Sequence, residues 1–109
     1  MNEEKIKKIV EMANNGFADA QYRLAICYLN GIGVSQNNEL AISWLDKAAA
    51  QNYTEAQYLL GIFCCNGIII PKDENRAAFL FGLATVKGHA GAFYNLGVCH
   101  FRGIGIEKK

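Results

Sequence analysis

Proline occurs once in the chain, at Pro71, and tryptophan once, at Trp44. A backbone with one proline carries few obligatory breaks, which fits an almost wholly helical chain. No sign of charge dominates: 11 Lys and Arg stand against 10 Asp and Glu, a net +1. A nucleic-acid partner would need a basic face. The densest basic stretch, "KIKK" at Lys5 to Lys8, is short and reads as a solvated helix face. Long apolar runs are missing too. The longest, "AAFLFGLATV" from Ala77 to Val86, spans ten residues, too few to cross a bilayer, so no membrane partner is expected. The opening "MNEEKIKKIV" is charged where a signal peptide would be apolar. P-loop, G-x-S-x-G and H-E-x-x-H motifs are absent, and "GIG" follows no strand, so it is loop punctuation and not a phosphate cradle. The expectation is a cytoplasmic chain with no catalytic, cofactor-binding or metal residues.

What is present suffices for a core. Apolar residues make up 51% of the 109 residues and charged residues 19%. One domain of this size buries roughly two thirds of its unfolded surface. The apolar residues recur at a fixed step. "NGFADAQYRLAICYLNGIGV" from Asn15, "QNYTEAQYLLGIFCCNGIII" from Gln51 and "KGHAGAFYNLGVCHFRGIGI" from Lys87 align without gaps at an offset of 36. Ala20, Ala56 and Ala92 coincide, as do Tyr22, Tyr58 and Tyr94, Leu24, Leu60 and Leu96, and Gly31, Gly67 and Gly103. Ten of 36 positions are identical between the first two units; chance would give about two or three.

Each unit divides into two helices. The first runs from about Ala18 to Asn30, with Ala20, Leu24, Cys27 and Tyr28 at helical spacing, and stops at Gly31. Asn37 or Asn38 caps a second helix that turns Ala41, Trp44, Leu45 and Ala48 inward; Asp73 caps its counterpart. Stepping back one period from Ile42 and Leu45 reaches Ile6 and Ile9, so residues 3–15 are a capping helix. Residues 16–51 form repeat 1, 52–87 repeat 2, and 88–109 an incomplete third whose lone helix spans about Ala90 to Arg102. A hairpin cannot bury its own stripe, whereas stacked hairpins can.

The pattern resembles the Sel-one-like repeat family, a relative of the tetratricopeptide repeats. "AQYRLAICYLNGIGV" with "ELAISWLDKAAAQ" carries its small residues, aromatics and paired glycines in register. Ala25, Leu80 and Ile69 depart from its usual glycine, tryptophan and second loop glycine. The resemblance implies an all-α, right-handed α-α superhelix of about 2.5 repeats. It further implies a noncatalytic scaffold or adaptor for protein partners, often in bacterial signalling.

Cys27, Cys64, Cys65 and Cys99 all fall on first helices. Cysteine-rich relatives staple the two helices of one hairpin, which this placement forbids. In-phase cysteines on neighbouring units lie beyond the ~7 Å a bridge tolerates, so free thiols in a reducing compartment are expected. A zinc set of Cys64, Cys65, Cys99 and His100 lacks C-x-x-C spacing, and adjacent cysteines diverge by about 100° on a helix. The alternative class is a Cys/His-dependent hydrolase-like enzyme using Cys64 and His100, for which no third orienting group is evident.

Two surfaces are candidates for partners. By analogy with tetratricopeptide grooves, the first helices line a concave wall. One face of each carries Tyr22 and Asn30, Tyr58 and Asn66, Tyr94 and Arg102, suited to an extended peptide; the tyrosines could instead pack between units. The second is Phe79, Gly82, Leu83 and Val86, an apolar stripe at i, i+3, i+4 and i+7 where repeat 1 has Ser43, Asp46, Lys47 and Ala50. An uncovered stripe of this kind points to a homodimer through the C-terminal end, or to truncation from a longer array.

Overall fold

The computed structural model describes residues 3–92, 94, 95 and 97. Five helices follow one another: α1 (Glu3–Asn14), α2 (Ala18–Asn30), α3 (Asn38–Ala50), α4 (Thr54–Asn66) and α5 (Glu74–Val86). Residues 90–92, 94, 95 and 97 are helical as well, and no strand occurs among the described residues. The remainder of the expected last helix, to Arg102, lies outside the described residues. The backbone groups into two compact units, Met1–Ala56 and Gln57–Lys109, with the boundary inside α4.

Local chemistry sets the helix ends. Asn37 accepts a 3.0 Å bond from the Leu40 amide, and Asp73 accepts one of 3.0 Å from that of Arg76. Each side chain thus satisfies a donor that the first turn of α3 or α5 leaves open. α2 ends on Gly31 at φ 67°, a left-handed cap whose amide bonds back to the Cys27 carbonyl. The loops then repeat one closure. The Asn37 amide returns to the Tyr28 carbonyl at 2.9 Å, and the Asp73 amide to that of Cys64 at 2.8 Å. At the second loop position, Gly33 has φ 71° and Ile69 has φ 56°. A β-branched residue in this region is strained, at a cost on the order of 1–2 kcal/mol.

In the first unit, α1 lies against α2. Ala13, Ala20 and Leu24 are buried together, and Ile9, Val10, Tyr28 and Trp44 pack around them. At one end, Gln21 donates to the Ala13 carbonyl at 3.3 Å. Its own Oε1 accepts from Gln51 Nε2 at 2.8 Å, and Gln51 also donates to the Gly16 carbonyl at 2.8 Å. Gln21 is therefore a buried polar side chain with partners. At the other end the loop backbone presses on α1: a Cβ at Gly33 would overlap the Ile6 side chain.

The second unit solves the same packing with different volumes. Leu60, Cys64, Ala77, Phe81 and Ala84 are buried. Phe81 lies so close to α4 that a Cβ on Gly61 would come within 2.7 Å of its ring. The equivalent residues one period earlier are Ala25 and Leu45, both buried. The larger ring is thus matched by the smaller helix residue, a compensating change of the kind close-packed interiors tolerate.

Gly61→Ala should therefore destabilise by about 1–3 kcal/mol, lowering Tm by several degrees in a thermal circular-dichroism scan. Phe81→Leu in that background should restore much of the loss, because it recreates the Ala25–Leu45 pair. Strict additivity in the double-mutant cycle would reject this account.

Candidate functional site

Between the Gln21 and Ile6 contacts, α1 and α2 leave an open groove of about 380 Å³. It is lined by Ile9 from α1, by Tyr22, Arg23, Ile26 and Cys27 from α2, and by Ile32 from the following loop. Tyr22 and Ile26 stand one turn apart on α2, as the sequence places them, and both line this groove. Ile9, Arg23, Cys27 and Ile32 were not legible as site residues.

Asp19 organises the Tyr22 side. Its Oδ1 accepts from Tyr53 Oη at 3.0 Å and from Arg23 Nε at 3.2 Å. Tyr53 lays its ring against Tyr22, with centroids 5.3 Å apart and planes at 38°. Burial pushes the Tyr22 phenol up, with the Glu55 charge adding to it. Burial, then the bond to Asp19, does the same for Tyr53. Raised phenols favour the neutral form in the fold. Their contribution to stability is complete below about pH 10 and is lost as pH rises beyond it.

The second unit repeats the ring contact. Tyr58 stacks on His89 at 4.2 Å and 29°, with Phe81 6.0 Å away. Tyr53 and His89 occupy the same repeat position, so both tyrosines are half covered by a ring supplied from the turn before the next helix. Tyr94 is 74% exposed. Asn30 and Asn66 are exposed at the ends of α2 and α4, and Asn30 donates to the Ile26 carbonyl of its own helix at 3.2 Å. Arg102 lies outside the described residues.

On α5, Phe79 is 66% and Val86 86% exposed, with Gly82 and Leu83 half-buried. A Cβ on Gly82 would meet nothing within 4 Å. Ser43, Asp46, Lys47 and Ala50, the counterparts on α3, are exposed as well. Phe79 and Val86 on α5 thus share the exposure of Ser43 and Ala50 on α3.

Cys27 and Cys64 are buried, Cys65 is half-buried, and none of the three is in a disulfide. Burial pushes the Cys27 thiol up. Arg76 points a guanidinium N–H at Cys64 Sγ, 3.9 Å away. No group of three or more His, Cys, Asp or Glu able to hold a metal occurs among the described residues; Cys99 and His100 lie outside them. None of the described helices is long and apolar enough to cross a membrane.

The Sel1 repeat family model matches residues 18–53, 54–89 and 91–109. A Sel1 repeat protein from Oxalobacter formigenes has a crystal structure that superposes with a TM-score of 0.90 at 35% identity, over 96% of this chain and 79% of that one. A second crystal structure is c5321, a protective antigen present in uropathogenic Escherichia coli strains and displaying an SLR fold. It gives a TM-score of 0.86 at 34% identity over 93% of this chain, which spans only 22% of its length. Among curated proteins, none matches this sequence.

The thiols provide a check on the packing. Timed alkylation at pH 8, read by peptide mass spectrometry, should label Cys65 at least about tenfold faster than Cys27 and Cys64, since thiolate character and access set the rate. Cys64 or Cys27 reacting first would contradict the arrangement and favour a nucleophilic role.

Proposed function

The chain belongs to the Sel1 repeat family, whose repeats are generally protein-interaction modules, and we propose that it serves as a noncatalytic adaptor or scaffold in a bacterial cytoplasm. Its first helices take a peptide or protein segment on the face that the family resemblance assigns to the concave side. Tyr22 and Asn30, Tyr58 and Asn66, Tyr94 and Arg102 carry that contact. The observation behind this is the open apolar groove beside Tyr22 and Ile26. A mostly apolar, concave depression of this volume has the form that binding sites commonly take.

Aromatic rings and amides suit such a task. Tyr22 and Tyr58 are held by ring contacts in the fold, so they offer rigid apolar area at little further cost in side-chain freedom. The exposed amides of Asn30 and Asn66 can bond the main chain of an extended segment.

A second contact is favoured by α5. The exposed face that is polar on α3 becomes Phe79, Gly82, Leu83 and Val86. We assign it to self-association, with Phe79 of one copy lodging over Gly82 of the other, where space is open.

Asn30→Ala/Asn66→Ala should leave circular dichroism unchanged and weaken capture of the natural partner about tenfold or more in a quantitative pull-down. An unchanged set of captured proteins would remove the first-helix face from consideration. In sedimentation equilibrium, the wild type should dimerise and Phe79→Asp should not. Gly82→Leu should also loosen the dimer although it adds apolar area, whereas general stickiness would tighten it. A wild-type monomer at high concentration sinks the assignment.

A further inference from the structure

The groove of the first unit has a basic edge. A second cleft of about 280 Å³ adjoins it, lined by Lys5, Lys8, Ile9, Met12 and Arg23. Ile9 and Arg23 belong to both clefts, so the two adjoin along these side chains. Lys5, Lys8, Ile9 and Met12 stand at i, i+3, i+4 and i+7 of α1, a single stripe along the helix. Two cations and two apolar side chains therefore face the same trough.

The acids of α1, Glu3, Glu4 and Glu11, line neither cleft. Two acids lie beside Tyr22 and Arg23 on the α2 wall. Asp19 is engaged by Tyr53 and Arg23, and Glu55 acts on Tyr22. The Asp19–Arg23 pair is well exposed, with side chains 57% and 64% accessible. A pair so wetted holds loosely, so Arg23 can share its charge with an incoming anion. The whole chain is almost neutral, at +1; the positive edge is local to this groove.

We propose that the trough binds an extended protein segment in which a bulky apolar side chain is flanked by carboxylates. This rests on the protein-binding assignment above and adds the chemistry of the partner. The apolar side chain enters among Ile9, Ile26 and Ile32, in a depression of the size that ligand sites use. The carboxylates lie over α1, toward Lys5 and Lys8, because Asp19 and Glu55 repel them from the Tyr22 side. Met12, partly exposed at the rim, adapts to the shape of what enters, as a flexible thioether can. Long-range attraction of this kind raises the association rate and falls with salt.

The test is selection of random phage-displayed peptides on the intact chain, with the enriched peptides resynthesised and titrated. Enrichment of peptides pairing Leu, Ile or Phe with Asp or Glu is expected. Their binding should fall tenfold or more in Ile26→Asp and in the loop variant Ile32→Asp, which perturbs no helix. Lys5→Glu/Lys8→Glu should reverse the preference, so that the same peptides with Lys in place of Asp and Glu bind better than the originals. Apolar peptides without acidic bias, still lost in Ile26→Asp, would overturn the charge assignment while leaving the groove as a protein-binding site. Peptides indifferent to both groove variants, or no enrichment at all, would overturn both.

Discussion

Helix backbones in this chain come together over alanine. Ala25, Ala41, Ala48, Ala56, Ala77, Ala84 and Ala92 have no accessible surface left. A methyl group at each contact lets two helix axes approach closely, and the larger Leu, Phe and Tyr side chains fill the spaces beside it. A short helix gains little from its own hydrogen bonds in water. Its order comes from the surface it buries against the next helix, at ~25 cal/mol per Å² of apolar area. Caps and loop bonds then decide where each helix stops.

The same constraint produces the groove. α1 and α2 are drawn together where Ala13 meets Ala20 and Leu24, and the loop backbone at Gly33 closes on Ile6. Ile9 and Ile26, between those contacts, are too large to vanish and too separated to fill the space. What remains is an apolar depression framed by an ion-paired Arg23 on one wall and lysines on the other. On the proposed reading, binding capacity is a by-product of packing: the side chains that line the space between the helices are those a partner would touch.

Much of the fold was legible in the sequence because its signals are local and repeated. The limits of α2, the caps at Asn37 and Asp73 and the stop at Gly31 all follow from residue types at a fixed period, and α1 ends one residue short of its expected limit. What was not legible depends on distance. Gln21 reads as a surface residue, yet it is buried, because Gln51, thirty positions on, satisfies it. The rings covering Tyr22 and Tyr58 come from Tyr53 and His89, whose shared repeat position was visible without its meaning. Ile9 was legible as core; that it also walls a groove depends on the spacing of two helices, which no periodicity encodes.

The unequal pairing of Gly61 with Phe81 and Ala25 with Leu45 has a consequence for how such an array finds its order. Hairpins with identical inner faces could exchange partners, and a folding chain would meet several near-equal arrangements. Here each first helix is keyed to its own second helix. Set over α2, the Phe81 ring would strike the methyl of Ala25, and Leu45 over α4 would leave a hollow beside Gly61. The small irregularities that blur the repeat thus act as addresses, letting a chain built from copies tell its neighbours apart.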